Sequence, residues 1–483
     1  MNSRPNFLLF ILDGMQAATI DAAHPCQTPN IERLKQRGVT FQRAHTCCPV
    51  CSPARASLMT GLLPHNHGVL EVEHGKDDDQ CVLRDDKPHF AQRLVDAGYR
   101  TGYFGKWHIE RSNEIERFGW QTHVVKGSEH HKHLGKGAHS FGEDQLDSNL
   151  CGWLEDPPGY NRILHYGVTD APPEERPLGV SMNCAREFLK DRMLGKEPWC
   201  CAVSFSEPNE ALVCGRPAFE LYDVDDIELP ENRNADFSNR PNLYRRERLI
   251  TRNLSDDHWR MARACYYGCI TEMDAQFGRL VNQLDSTDAL DNTVVILMAD
   301  HGRYVGAHGF DAHNIGAFEE IYRIPLVMAG PGIAADGESA ALVGIHDVCP
   351  TILDLAGAEP IDVPDSSSFA PVLSAPGECP KSFREGFAEY HGSRFPLAQR
   401  ILWRDDWKFV FNGFDFDELY DLRNDSCEMR NLAGDEDQSG HAREMMSRIW
   451  NKLRDTNDRT LLETHYFSLR LGGVGPNDAP HGG

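Results

Sequence analysis

A thiol and a guanidinium stand four positions apart in Cys51-Ser52-Pro53-Ala54-Arg55, which runs on into Ala56-Ser57-Leu58-Met59-Thr60-Gly61. Such a cysteine can be a nucleophile, a metal ligand or simply a buried thiol, and the residues after it narrow the choice. Pro53 suits the first turn of a helix, where its missing N–H leaves nothing unsatisfied, and Ser52 reads as the N-cap. Leu58, Met59 and Leu62 give that helix an apolar face. Cys51 then stands at a helix N-terminus, where unpaired N–H groups and the dipole favour negative charge. Arg55, about one turn on, directs a second positive group to the same place, so an anion-facing site is expected. Cys48-Pro49-Val50-Cys51 is also a C-x-x-C, which alone would suggest a redox or zinc site. No second C-x-x-C and no preceding thioredoxin-like pattern supports either.

Four other segments end in polar residues of the kinds a metal or oxyanion site needs. Phe7–Leu12 ends in Asp13, and Thr293–Ala299 ends in Asp300-His301-Gly302. Arg100–Gly105 leads into Lys106-Trp107-His108, and Trp199–Ser206 into Glu207-Pro208-Asn209. Continuous apolar runs of this kind suit strands of a parallel sheet covered on both faces. In open α/β sheets ligands bind outside the carboxyl ends of the strands. The four segments therefore predict one rim that gathers Asp, Asp-His, Lys-x-His and Asn.

The elements that must position these residues alternate strand and helix to about residue 355. One helix starts at Thr28-Pro29 with Asn30 as a candidate cap. Another spans His89–Ala97 and closes at Gly98. A long one spans Trp259–Leu284, with Tyr267, Ile270, Met273, Phe277, Leu280 and Leu284 on one stripe. This alternation predicts an α/β fold, a doubly wound α/β/α domain over residues 1–360. Pro, Ser and Gly cluster after it. Residues 361–483 then read as a smaller antiparallel subdomain, with a hairpin through Arg404-Asp405-Asp406 and a closing helix at Ala442–Leu453.

C-x-P-x-R followed by a small-residue helix and Thr-Gly resembles the signature of the type I sulfatases, in the alkaline phosphatase superfamily, and the phosphonate monoester hydrolases share it. Glu418-Leu419-Tyr420-Asp421-Leu422 with Asn431-Leu432 is similar to the family's C-terminal segment. The resemblance implies an alkaline phosphatase-like α/β/α sandwich with a C-terminal antiparallel subdomain. It implies that Cys51 is oxidised to Cα-formylglycine by a maturation enzyme. It implies one divalent metal ion, Ca2+ or Mn2+, on Asp13, Asp300, His301 and residue 51. It gives Arg55, Lys106 and His108 the support of the formylglycine diol and the ester oxygens. A diol oxygen attacks sulfur, the alcohol leaves, the other hydroxyl loses its proton (to His108 on this reading) and the aldehyde returns as sulfate departs.

Four positions depart from the common family pattern, one being His301, where many calcium sulfatases have Asn. Gly14 follows the first aspartate where a second acid or an amide is usual. Asn209 stands where histidine is frequent, and His313 where lysine is frequent. His313 becomes the candidate leaving-group acid, with Asn209 and His308 as candidate substrate-binding residues. A single Asp paired with Asp-His places the chain near the phosphonate monoester hydrolase and choline sulfatase branches. The favoured function is hydrolysis of a small anionic sulfate ester; phosphonate or phosphodiester hydrolysis at the same site, and a catalytically silent binding homologue, remain as alternatives.

A formal net charge of −24 argues against nucleic-acid or anionic-membrane partners. The apolar run at 6–12 is too short to span a membrane and reads as the first core strand, which predicts a cytoplasmic protein. The 15 cysteines are odd in number and partly adjacent, as in Cys47-Cys48 and Cys200-Cys201, so reduced buried thiols are expected rather than a disulfide framework. His123, His130, His131, His133 and His139 read as solvated loop residues. A homo-oligomer is allowed, and no motif fixes its size.

Overall fold

The computed structural model describes residues 4–74, 77, 81–84, 86–135, 145–155, 157–209, 211–311, 315–393, 396–462, 467 and 470–478. In chain order the first strands are β1 (Asn6–Asp13), β2 (Gly38–Phe41), β3 (Arg100–Gly105), β4 (Thr122–Val125), β5 (Leu146–Leu154) and β6 (Ile163–Thr169). They are followed by β7 (Trp199–Pro208), β8 (Leu212–Gly215), β9 (Thr293–Ala299), β10 (Leu326–Ala329) and β11 (Gly337–Ser339). The last four are β12 (Glu385–Gly392), β13 (Pro396–Arg404), β14 (Trp407–Asn412) and β15 (Glu418–Asp421).

Eight strands form the central sheet in the order β11-β2-β10-β9-β1-β7-β3-β4. β1 lies between β9 and β7 and is parallel to both, and β3 is parallel to β7 and β4. Phe7–Leu12 and Val294–Ala299 are buried without alternation, because helices cover both faces of these strands. The sheet is mixed rather than wholly parallel, since β10 runs antiparallel to β9 and β2. After β9 the chain turns back along its own edge through the short helical turns Ala307–Gly309 and Glu319–Tyr322, and such a return yields an antiparallel neighbour.

Helices Pro29–Arg37, Pro177–Met193 and Asp256–Asp285 belong to one covering layer, and Cys51–Thr60, Phe90–Asp96 and Val348–Ala356 to the other. The long helix buries the whole predicted stripe, and its Phe277 ring meets Phe10 of β1 with centroids 5.3 Å apart. Full burial of each such side chain stabilises the fold by about 1.5–3 kcal/mol. The same helix caps its neighbour from outside: the Asp274 carboxylate accepts from the backbone N–H groups of Asn30 and Ile31 at 2.8–3.1 Å. Asn30 is thus capped rather than capping. His130, His131 and His133 lie on a short helix, Glu129–Leu134, with His131 buried, and His123 lies on β4, where loops were expected; His139 falls outside the described residues.

β12–β15 form an antiparallel meander with the Asp405-Asp406 turn in the expected hairpin, and helix Ser439–Asp455 packs on β13 and β14. Asn431 accounts for the Glu-Leu-Tyr-Asp-Leu…Asn-Leu segment: its Oδ1 accepts from Leu419 N at 3.0 Å, and Leu432 N donates to Leu419 O at 2.8 Å. Phe387, Leu402, Phe409 and Leu419 of the small sheet share one continuous buried cluster with the central sheet. All 15 cysteines are unbridged, and among the described residues no helix is long and apolar enough to cross a membrane.

A buried ion network ties the small sheet to the short helix Pro64–His67. His65 Nδ1 lies 2.8 Å from Glu389 Oε1, His391 Nε2 lies 2.7 Å from Glu389 Oε2, and Arg400 pairs with Asp458 at 2.6 Å. Burial opposes the charge on His65, but Glu389 pushes its pKa up to about 9. A folded-state pKa above the unfolded value contributes stability that is complete below the unfolded pKa and is lost as pH rises through about 9. From about pH 6 to about pH 10 the wild type is expected to lose about 3 kcal/mol more unfolding free energy than His65→Gln. Parallel urea titrations of both proteins across that range check this; identical pH slopes would remove the network's role.

Candidate active site

Sheet register builds the site. Leu12 pairs with Ala299, so Asp13 and Asp300 emerge side by side, and Asp300 N donates to Leu12 O at 3.0 Å. Gly105 pairs with Ser204, so Lys106 leaves the sheet one strand beyond β7. Only glycine fits at 105, where φ is 113° and a Cβ would stand 1.8 Å from Ser204 O. A register shift between Ile11 and Asp13 brings Asp13 level with Pro208, which delivers Asn209 to the same rim.

Helix Cys51–Thr60 points at these strand ends. It begins at Cys51 itself, two residues earlier than the sequence suggests, and Val50 occupies the N-cap position without a side-chain bond. Ser52 is not the cap; its Oγ accepts from Glu73 N at 3.0 Å. Cys51 Sγ lies 3.2 Å from His301 Nε2 and 3.8 Å from Asp13 Oδ1. Arg55 uses all five N–H donors on the protein: Nε to Asp300 Oδ2 at 2.7 Å, Nη1 to Ser204 Oγ and Lys106 O, and Nη2 to Asp13 Oδ2 and Phe205 O. Arg55 thus holds the two aspartates beside residue 51.

Asp13, Cys51, Asp300 and His301 are buried, with ligand atoms all within 4.8 Å of one another. His301 Nδ1 faces Gly302 O at 2.8 Å, a pure acceptor, so Nδ1 carries a proton and Nε2 is the nitrogen turned to the cluster. Burial works against charge on His301, yet Asp300, Cys51 and Asp13 push its pKa up to about 10. Burial and the neighbouring Asp13 raise Asp300 to about 6. Burial alone would raise Asp13, but Lys106, His301 and Arg55 hold it well below the usual carboxylate range. Burial and Asp13 oppose ionisation of Cys51, while Lys106, His301 and a hydrogen bond with His108 bring it down to about 5. Two carboxylates, one imidazole and an ionisable residue 51 make a donor set that fits a divalent cation.

Lys106 Nζ pairs with Asp13 Oδ2, and His108 reaches Cys51 from a left-handed backbone with φ 62°. Asn209 Nδ2 donates to Asp13 Oδ1 at 2.6 Å while its Oδ1 accepts from Arg303 Nη1 at 3.1 Å, so it orients a candidate ligand. Gly14 is explained by the same neighbourhood: with φ 72°, its N–H donates to Asp300 Oδ1 at 3.3 Å and its Cα faces Asn209. His308 is not brought to the site. It is fully buried, bonded to Asn232 at 3.0 Å and stacked on Phe318 with centroids 3.7 Å apart. His313 lies outside the described residues. Ser204, Arg303 and Asp311 have no sequence signal of their own; Arg303, two residues after His301, reads as an ordinary loop charge.

A family model described as Sulfatase matches residues 5–358. The chain belongs to the sulfatase family. A second model, described as N-sulphoglucosamine sulphohydrolase, C-terminal, matches residues 306–457 of this sulfatase-family chain. An uncharacterized sulfatase, YidJ, of Escherichia coli K12 is 29% identical over 440 residues, covering 89% of this chain and 84% of that protein. A choline-sulfatase of Rhizobium meliloti is 27% identical over 459 residues, covering 89% and 82%. The structure of the phosphonate monoester hydrolase SpPMH from Silicibacter pomeroyi superposes with a TM-score of 0.78 at 22% identity, covering 95% of this chain and 96% of that one. The central sheet flanked by helices and the separate small antiparallel sheet are the architecture expected from the resemblance.

In this sulfatase the Asn209 amide is locked through a second buried pair. Arg303 Nη2 donates to Asp311 Oδ2 at 2.5 Å, and His165 Nε2 lies 3.1 Å from Asp311 Oδ1. Burial would raise the Asp311 carboxyl, but Arg303 and His165 hold it well below its usual range. Removing one partner of a buried pair strands the other charge. Arg303→Leu is therefore expected to lower the unfolding free energy by about 3–5 kcal/mol in urea titrations. Wild-type stability in that variant would exclude this clamp.

Proposed function

We propose that this sulfuric ester hydrolase acts through a residue 51 matured from cysteine to Cα-formylglycine, with one divalent cation, Ca2+ or Mn2+, on Asp13, Asp300, His301 and residue 51. The observation that carries the reading is the first-turn position of Cys51, 3.2 Å from His301 Nε2, inside the C-x-P-x-R motif. The hydrated aldehyde supplies a nucleophilic oxygen that can be released by elimination, without a second attack on sulfur. The cation supplies Lewis-acid stabilisation of the ester oxyanion.

The chain's own residues perform the remaining tasks. Arg55 fixes both aspartates with their oxygens turned to residue 51. Lys106, raised above its ordinary pKa mainly by Asp13 against the effect of burial, stays charged beside the developing negative charge. His108 contacts residue 51 directly and is lowered by burial and Lys106, so its ring is neutral near pH 7 and able to accept a proton there. His313 is assigned the leaving alcohol's proton. The fold likeness to a phosphonate monoester hydrolase favours a second reading, in which a phosphonate ester occupies the same cavity. Parallel assays on aryl sulfate, phosphonate and phosphodiester esters separate the two by relative kcat/KM.

Coexpression with a formylglycine-generating enzyme should convert Cys51, and peptide mass mapping of residues 44–55 should show CHO in place of CH2–SH. Full sulfatase activity from a chain with an intact thiol would sink the mechanism. Asp13→Asn should lower both metal content and turnover, because carboxylate charge holds hard cations. Metal analysis and kcat at wild-type levels in that variant would refute the ligand assignment.

A further inference from the structure

Glu73, His74 and His108 bring three ligand atoms together on the outer side of the Cys51 site. His74 Nδ1 lies 3.2 Å from His108 Nε2, which lies 3.5 Å from Glu73 Oε2, and that oxygen is 3.8 Å from His74 Nδ1. Zinc bonds of about 2.0–2.2 Å at tetrahedral angles place neighbouring ligand atoms about 3.4 Å apart. The observed triangle has nearly those edges. We propose that Glu73, His74 and His108 form a second, separate site for a borderline-soft divalent cation, zinc above all, at the mouth of the active site.

Two of the three ligands are held in advance. Glu73 is pinned through its backbone, whose N–H donates to Ser52 Oγ at 3.0 Å and whose carbonyl accepts from Arg111 Nη2 at 2.6 Å and Cys81 Sγ at 3.2 Å. His108 follows the buried Trp107. Only the His74 side chain, 59% exposed, closes from solvent, and it leaves a fourth position open to water. Two imidazoles and one carboxylate suit zinc, whereas the carboxylate-rich Asp13 cluster suits a hard cation, so the two sites select different metals. A cation here engages His108, the ring that contacts Cys51. Zinc uptake therefore inhibits turnover without displacing the cation at Asp13; this last consequence rests on the proposed role of His108, whereas binding does not.

The test dialyses protein that carries its resident cation against graded free zinc, counting both metals and assaying activity on the same samples. One zinc per chain should be taken up with the resident metal retained, and activity should fall along the same isotherm. His74→Ala should keep basal activity while weakening zinc uptake and inhibition together, by roughly tenfold or more. His74→Cys, which restores a ligand, should recover both. Cobalt(II) gives a readout independent of activity: a tetrahedral visible absorption in the wild type, absent in His74→Ala. Equal zinc counts in wild type and His74→Ala, or uptake only by exchange with the resident metal, would overturn the site. Uptake without inhibition would overturn the coupling to His108.

Discussion

The Arg55 guanidinium is the constraint on which the rest of the site depends. Asp13 and Asp300 are fully buried on adjacent strands, and two such carboxylates repel each other and forfeit hydration. Arg55 offsets both costs at once, with one N–H on each carboxylate and its others on Ser204, Lys106 and Phe205. These acceptors belong to, or directly follow, β1, β3, β7 and β9, so one side chain registers four strand ends against the first turn of helix Cys51–Thr60. A lysine has three donors on a single atom and could not span that set.

Around this clamp the charges alternate. Lys106 and Asn209 converge on Asp13, Arg303 locks Asn209, and Asp311 and His165 in turn lock Arg303. The chain is strongly acidic, with net charge −24, yet Arg55, Lys106 and Arg303 gather around Asp13 and its partner Asn209. The local field of the cavity is set by a few desolvated groups rather than by the net charge of the whole chain.

Much of this was legible in the sequence because the chemistry sits where periodicity ends. Asp13 and Asp300-His301 each follow an uninterrupted apolar run, Lys106-x-His108 follows the short strand Arg100–Gly105, and the parallel register of β1, β7, β9 and β3 makes such ends coincide. What was not legible depended on geometry without a pattern. The orientation of Asn209 depends on the shift in pairing near Asp13. Ser52 looks like a cap, but the chain from 71 to 74 returns to use its hydroxyl. His308 follows the Asp-His-Gly segment closely, yet its backbone turns left-handed at φ 53° and sends the ring to Phe318. The antiparallel β10 was hidden because a buried apolar run reads the same in either direction.

The peptide ladder between β1, β7 and β9 also works as a ruler that separates reaction from recognition. Positions 13, 106, 204 and 300 are counted from hydrogen-bonded pairs, so a one-residue deletion inside any of these strands would turn the following side chain to the opposite face and dismantle the centre. Loops beyond the rim are not counted that way. They can lengthen, shorten or exchange composition while the ruler holds its marks, which leaves substrate choice free to diverge among lineages around an unchanged centre.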